Sequence, residues 1–148
     1  MYTYFDSGAL VKIYVKERSS EEVISLAAAE KQIPLFPLHE LEIRNALRAQ
    51  IGRNYLLIEE FEGAVTAFNE DIHASRLKQI SPDWPFIYKK AEELSSLHTA
   101  ELLCRALDIL HVACAQYLSC NWFITGDKRQ ANLAERANLK VHLIGEKR

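Results

Sequence analysis

The chain has 148 residues, of which 49% are hydrophobic and 26% are charged, and its formal net charge is −2. This length is enough for one domain with a sizeable core, and the composition is that of an ordinary globular protein. The nearly balanced charge excludes a uniformly basic surface, so a nucleic-acid partner would have to bind a local basic patch. We therefore expect a single domain over residues 1–148.

Membrane, secretory and zinc-binding classes are also disfavoured. No apolar run approaches the roughly 20 residues that span a membrane, and the first six residues lack the features of a secretory signal. Cys104, Cys114 and Cys120 form no Cys-x-x-Cys pair, and the histidines complete no zinc pattern. An odd number of dispersed cysteines argues against a disulfide framework. We expect a cytoplasmic protein with no membrane partner and with free thiols.

The first half of the chain predicts short strands alternating with helices. A run of aromatic and β-branched residues predicts a strand at residues 2–5, which Asp6, Ser7 and Gly8 end. Capping serines followed by acids predict the start of a helix at Ser19. Apolar spacing and turn residues predict the remaining elements. These are a helix at residues 9–15, a strand at 33–36, and helices at 38–50 and 55–73.

The second half continues this alternation. The predicted elements are a strand at residues 77–80, a loop at 81–85, helices at 86–97 and 107–118, a strand at 122–125, a helix at 127–137 and a strand at 140–144. Strands separated by helices indicate an α/β domain, in which helices cover both faces of a mostly parallel sheet. Ligands of such sheets bind beyond the carboxyl ends of the strands, where Asp6 and Asp127 both lie.

Asp108 is an acid within a strongly apolar helical segment, residues 107–115. Apolar residues recur there at helical spacing, at Leu107, Leu110, Cys114 and Leu118. We expect this segment to pack into a core, and a carboxylate beside such a face is costly to desolvate unless something compensates it. A position at the start of the helix, where Asp108 would stay partly exposed, is the alternative.

Three further acids, Asp6, Glu42 and Asp127, could lie near Asp108 if the fold gathers them. Gathered carboxylates repel each other and raise one another's pKa, and a divalent cation removes that penalty. Oxygen ligands without a sulfur or imidazole pattern favour Mg²⁺ or Mn²⁺ over zinc. The matching chemistry is metal-assisted phosphodiester hydrolysis, in which the metal activates water and stabilises charge on the phosphate.

Each of these acids also has a structural interpretation. Asp6 and Asp127 each precede a predicted helix, and Asp is a favoured N-cap. Glu42 could be an ordinary exposed acid, and Glu40 competes with it for a role in the site. The two glutamates point about 200° apart on a helix, so only one of them can face a cleft.

Other polar residues are less specific signals. His39, His98 and His111 are interpreted as structural histidines. Ser7 and Thr125 lie beside acids, where they could stabilise turns or contact a ligand. The basic residues that could contact RNA phosphates, or form only a solvated surface, are Lys12, Lys16, Arg44, Arg48, Lys128 and Arg129.

Four segments, each with one of the four acids, together span nearly the whole chain. They are YFDSGALVK at residues 4–12, EIRNALR at 42–48, RALDILHVA at 105–113 and FITGDKRQ at 123–130. In this order they resemble the PIN-domain family and, within it, the VapC-type toxins of toxin–antitoxin pairs. No single segment is specific, whereas the four together form a specific pattern.

The resemblance implies a three-layer α/β/α sandwich and an endoribonuclease that depends on Mg²⁺ or Mn²⁺. It implies an acidic site made of Asp6, Glu42, Asp108 and Asp127, in which Asp6 and Asp108 hold the metal with Glu42 or Asp127. Glu42 fits better than Glu40, because the family's acid precedes a run like that of residues 43–48. Thr125 matches a hydroxyl of the family beside the last acid.

The resemblance further implies an RNA substrate, products with a 5′-phosphate and a 3′-hydroxyl, a cognate antitoxin that blocks the site, and a homodimer. Three alternatives remain open. The first is a PIN ribonuclease of RNA maturation, and the second is an inactive PIN module that binds RNA or protein. The third is a plain α/β binding domain, which the lack of a Gly-rich phosphate loop disfavours.

Overall fold

A computed structural model describes residues 1–146 and contains five strands and seven helices in this part of the chain. The strands are β1 (Thr3–Phe5), β2 (Ile33–Leu35), β3 (Leu77–Gln79), β4 (Trp122–Thr125) and β5 (Lys140–Leu143). The helices are α1 (Ser7–Tyr14), α2 (Ser20–Ala28), α3 (Pro37–Gly52), α4 (Ile58–His73), α5 (Trp84–Leu102), α6 (Ala106–Tyr117) and α7 (Lys128–Arg136). Every strand and helix predicted from the sequence is present, and the kind of each element is confirmed.

The chain divides into two compact units. The first unit consists of residues 1–6 together with the described chain from Ser81 onward, and the second consists of residues 7–80. The strands are divided between the units, because β1, β4 and β5 belong to the first unit whereas β2 and β3 belong to the second. A single domain over the whole chain stays a prediction.

The first unit contains a parallel three-stranded sheet in the order β1-β4-β5. The central strand β4 contributes the buried side chains of Phe123 and Ile124, and the Phe123 ring stacks on the fully buried Tyr4 of β1. Parallel strands have their carboxyl ends at the same edge of the sheet. The prediction that Asp6 and Asp127 lie at this edge is therefore confirmed, because Asp6 follows β1 directly and Asp127 follows β4 by two residues.

Helix α6 buries a continuous segment of the first unit, residues 109–115. The expectation that residues 107–115 pack into a core is thus confirmed for this segment, but it is wrong at Leu107, which is 51% exposed. Leu107 is the second residue of the helix, so it has no preceding turn to pack beside. Asp108 lies in the same first turn and is only half-buried, as the helix-start alternative predicted.

The second unit contains the parallel pair of β2 and β3, with Ile33 opposite Leu77, and the helices α1 to α4. Its core is formed by fully buried apolar side chains, among them Leu10, Val23, Leu35, Phe36, Ile43, Leu47 and Phe68. All strand pairs within residues 1–146 are parallel, as predicted, but they form two sheets where the sequence analysis expected one.

Several helix boundaries differ from the sequence prediction by one or two residues, and two differ by three residues or more. Helix α5 continues to Leu102 instead of residue 97, and Leu103 ends it in the left-handed region with φ 55°. Residues 98–102 carry no apolar stripe that could have predicted this extension. Helix α4 begins three residues later than expected, because the Glu60 side chain caps it by accepting from the N–H of Leu57 at 2.9 Å.

No helix within residues 1–146 has both the length and the apolar character needed to cross a membrane.

Candidate functional site

Asp108 and Asp127 line one open pocket of about 390 Å³ in the first unit. Three basic side chains line the same pocket, and two of them were singled out from the sequence. The lining residues are Leu103, Arg105, Asp108, Asp127, Lys128 and Arg129. The pocket therefore combines carboxylates, which can hold a cation, with guanidinium and ammonium groups, which can hold a phosphate.

The environment of Asp108 places it close to Asp127. The Asp108 side chain is 23% exposed, and its Oδ2 lies 3.5 Å from the Nε of Arg105. Burial raises the pKa of the Asp108 carboxyl, the negative charge of Asp127 raises it further, and Arg105 offsets part of this rise. Such repulsion between two carboxylates is typical of a site that is completed by a cation.

Asp127 is the N-cap of α7, which confirms its structural interpretation. Its Oδ1 accepts hydrogen bonds from the N–H groups of Arg129 at 2.8 Å and Gln130 at 3.1 Å. Both bonds end on the same carboxylate oxygen. Capping therefore orients the carboxylate and does not exclude a second role for its other oxygen.

Asp6 is connected to the same edge of the sheet through Thr125. The N–H of Asp6 donates to the carbonyl of Ile124 at 3.0 Å, and Asp6 Oδ2 lies 2.5 Å from the hydroxyl of Thr125. Thr125 is fully buried, and its hydroxyl also accepts from the N–H of Asp127 at 3.0 Å. Thr125, the last residue of β4, therefore connects Asp6 to Asp127. A hydroxyl that only stabilised a turn would make fewer contacts than this.

Gln130 also belongs to this network, although the sequence analysis did not single it out. Its amide contacts the Thr125 hydroxyl and the main-chain carbonyl of Asp108. The signal that could have found it is a polar residue on the buried face of α7, beside Ala131 and Ala134. This is the same signal that drew attention to Asp108.

Glu42 and Glu40 lie on α3 in the second unit, and their contacts differ. Glu42 Oε1 accepts a hydrogen bond from the hydroxyl of Ser7 at 2.9 Å. Both oxygens of Glu40 are engaged, because Oε1 accepts from Arg44 at 3.1 Å and Oε2 accepts from Gln79 at 3.3 Å. These contacts give Glu40 a role on the surface of the second unit, and they favour Glu42 as the candidate.

The structural interpretation holds for two of the histidines. His111 is buried, and its Nδ1 lies 2.5 Å from the hydroxyl of Tyr4. His39 is fully buried, and its Nδ1 accepts from the N–H of Phe36 at 2.9 Å at the start of α3. Both imidazoles have partners that fix them within the fold, so neither is needed as a ligand.

Four of the six basic candidates fall into two groups. Lys12 and Arg44 form ion pairs of 3.2 Å and 3.1 Å with glutamates of the second unit. Lys128 and Arg129, in contrast, line the pocket with Asp108 and Asp127. Arg105 was not predicted from the sequence, and its guanidinium lies beside an acid in the same pocket.

The donor chemistry of the pocket fits a hard divalent cation. Within residues 1–146, no three carboxylate, imidazole or thiol side chains stand close enough together to form a complete metal centre. Asp108 and Asp127 nevertheless share a pocket, and the Thr125 hydroxyl connects Asp6 to Asp127. Burial and the charges of the two aspartates raise the pKa of the nearby Cys104 thiol, which disfavours the thiolate that a soft-metal site would need.

The family model of the PIN domain matches residues 3–136. The chain therefore belongs to the PIN domain family. This match confirms the family that the sequence resembled, and it confirms the fold class, an α/β/α sandwich of the PIN type with parallel strands.

Solved structures with the same fold include two with low sequence identity. The structure of VapBC2 from Rickettsia felis, bound to a DNA fragment from their promoter, contains a chain that is 17% identical, with a TM-score of 0.64. That match covers 97% of this chain and 99% of the other. A chain of FitAcB from Neisseria gonorrhoeae is 16% identical, with a TM-score of 0.60 and coverage of 94% and 95%. At these identities the likeness concerns the fold alone, and no curated protein sequence matches the chain.

Proposed function

We propose that this protein is a metal-dependent endoribonuclease and the toxin of a type II toxin–antitoxin pair. The observation that carries the proposal is the pocket in which Asp108 and Asp127 lie among three basic side chains, in a member of the PIN family. Carboxylates that repel each other need a cation, and the basic groups around them would bind the phosphates of a nucleic acid.

Mg²⁺ or Mn²⁺ is the cation that suits this donor set, because all the proposed ligands are carboxylate oxygens. Asp6 and Asp108, together with either Glu42 or Asp127, would hold it directly or through water. When bound, the cation lowers the pKa of water and neutralises negative charge on the phosphate that is attacked.

The protein's own side chains would then orient the RNA. Lys128 and Arg129 lie at the start of α7, where they would bind the phosphates that flank the scissile bond. Arg105 would exchange its contact with Asp108 for a phosphate once a cation compensates that acid. No nucleophilic side chain is required, and by family analogy the products carry a 5′-phosphate and a 3′-hydroxyl.

Exchange of the acids for amides tests the proposal. Asp6→Asn and Asp108→Asn should each reduce the cleavage of a mixed RNA pool in Mg²⁺ or Mn²⁺ by about 100-fold or more, because each removes a charge that holds the cation. Glu40→Gln is the matched control, since its carboxylate contacts Arg44 and Gln79 instead, and it should cleave like the wild type. Full activity in both aspartate variants would refute the assignment of the site.

The toxin role and the antitoxin partner are part of the same proposal. Two of the similar solved structures are named VapBC2, bound to promoter DNA, and FitAcB. By analogy, the chain would form a homodimer and be blocked by a cognate antitoxin. We expect a small antitoxin-like open reading frame beside the gene. Expression of the wild type should arrest growth, co-expression of that frame should restore it, and Asp108→Asn should not arrest growth.

The remaining alternatives predict different results in these experiments. RNA cleavage without growth arrest would favour a PIN ribonuclease of RNA maturation. The absence of any metal-dependent cleavage above the Asp108→Asn background would favour an inactive module that binds RNA or protein.

A further inference from the structure

The side-chain amide of Gln130 lies at the centre of the network that connects the acids of the first unit. Gln130 is 1% exposed. Its Oε1 lies 2.7 Å from the Thr125 hydroxyl, and its Nε2 donates to the main-chain carbonyl of Asp108 at 3.2 Å. Its own N–H donates to Asp127 Oδ1 at 3.1 Å. One residue therefore contacts the first turn of α6, the end of β4 and the cap of α7.

Stability alone does not explain this glutamine. The neighbours of Gln130 on the buried face of α7 are Ala131, Leu133 and Ala134, so an apolar residue would suit this position. A buried amide must be hydrogen-bonded to offset the cost of its desolvation, and it adds little net stability even then. What the amide does provide is a fixed geometry, because its two ends bind two different elements.

The hydroxyl of Thr125 has more acceptors around it than protons to donate. It accepts from the N–H of Asp127, and it lies within hydrogen-bond distance of both Asp6 Oδ2 and Gln130 Oε1. The NH₂ end of the amide must face the Asp108 carbonyl, which can only accept, so the oxygen end must face the hydroxyl. The single hydroxyl proton can therefore go to Asp6 or to Gln130, but not to both.

We propose that Gln130 is a positioning residue of the acidic site. It holds the first turn of α6, and with it Asp108, at a fixed distance from Thr125. Its Oε1 is also a second acceptor for the Thr125 hydroxyl, which could take over the proton that Thr125 donates to Asp6 Oδ2 when a cation binds that oxygen. This inference rests on the proposed function, because it assigns the network a purpose in metal binding.

Gln130→Met tests the inference, because methionine has nearly the same length and can form neither hydrogen bond. Gln116→Met is the matched control, since Gln116 is a glutamine of α6 whose amide donates to the carbonyl of Ala137 at 3.4 Å, away from the acids. Mn²⁺ binding is measured by calorimetry without RNA. We expect the Kd of Gln130→Met to rise about 10-fold to 100-fold, with Gln116→Met unchanged.

A kinetic measurement separates positioning from a general structural effect. With excess RNA, Gln130→Met should require more Mn²⁺ for half-maximal cleavage, while its KM for RNA at saturating Mn²⁺ stays near the wild-type value. Thr125→Val should weaken Mn²⁺ binding by a similar factor, and the double variant should be little worse than either single one. If Gln130→Met does not fold, Thr125→Val removes the same contact from its other side, together with the contacts of the hydroxyl to Asp6 and Asp127.

Each outcome has a distinct meaning. If the wild type neither binds Mn²⁺ nor cleaves RNA, the proposed function itself fails. If the wild type does both and the Gln130 and Thr125 variants bind Mn²⁺ equally well, the inference is overturned and the proposed function stands. Equal weakening in Gln130→Met and Gln116→Met would also overturn it, because the effect would then follow from lost helix packing.

Discussion

Asp108 is half-buried in the first turn of α6 beside Asp127, and the fold does not stabilise its negative charge. Burial and the charge of Asp127 raise the pKa of its carboxyl, and the exposed Arg105 at 3.5 Å offsets only part of the rise. An asparagine would avoid this cost at the same position. Perturbed acids of this kind cluster at functional sites, which is why Asp108 carries weight in the proposal.

The raised pKa of Asp108 predicts a pH-dependent effect on stability. The folded protein binds this proton more tightly than the unfolded chain, so ionised Asp108 lowers the stability of the fold above its folded pKa. Protonation removes this cost as the pH falls from the raised folded pKa towards the unfolded value. Asp108→Asn should therefore raise the Tm at pH 7 by about 1–3 °C, with a gain that disappears near pH 4.

Thermal unfolding followed by circular dichroism at both pH values measures this difference. Mg²⁺ at millimolar concentration should raise the Tm of the wild type and leave that of Asp108→Asn nearly unchanged, because a ligand stabilises only the state that binds it. If Asp108→Asn is less stable than the wild type at pH 7, ionised Asp108 stabilises the fold and the prediction is wrong.

At the scale of elements, the order and kind of the strands and helices could be predicted because they depend on local patterns. Asp6 and Asp127 could be placed at one edge of a sheet, since each lies just beyond the end of a short strand and parallel strands end together. Helix ends could not be predicted as well, because residues 98–102 continue α5 without an apolar stripe. Gln130 was also missed, since its burial depends on the packing of α7 against other elements.

Asp127 has two roles that substitution can separate, because its carboxylate both caps α7 and lines the pocket. Asp127→Ala should lower the free energy of unfolding by about 1 kcal/mol through loss of the cap, whereas Asp127→Ser should keep most of it. Both variants should lose RNA cleavage, because neither carries a carboxylate.

Urea unfolding and a cleavage assay on the same preparations test both roles of Asp127. If Asp127→Ser keeps both its stability and its cleavage activity, Asp127 acts only as the cap of α7. A serine variant that is stable but inactive would support Asp127 as a cation ligand.

At the scale of the whole molecule, the resemblance to the family was carried by four sequence segments that are far apart in the chain. Each segment alone is compatible with many α/β proteins, and the PIN model matches residues 3–136, which contain all four. The division of the parallel strands between two sheets was not predictable, because strand pairing depends on contacts between distant residues. The local group of basic residues around Asp108 and Asp127 could likewise not be predicted from the net charge of −2, which is a sum over the whole chain.

We propose that this member of the PIN family uses its acids and a divalent cation to hydrolyse RNA. The most direct test is to incubate the wild type with a mixed RNA pool, with Mg²⁺ or with a chelator, and to determine the chemistry of both product ends. Cleavage only with Mg²⁺, leaving a 5′-phosphate and a 3′-hydroxyl, is the predicted result. Cleavage that persists in the chelator and leaves a 5′-hydroxyl and a 2′,3′-cyclic phosphate would contradict the claim, because the attack would then come from the RNA itself.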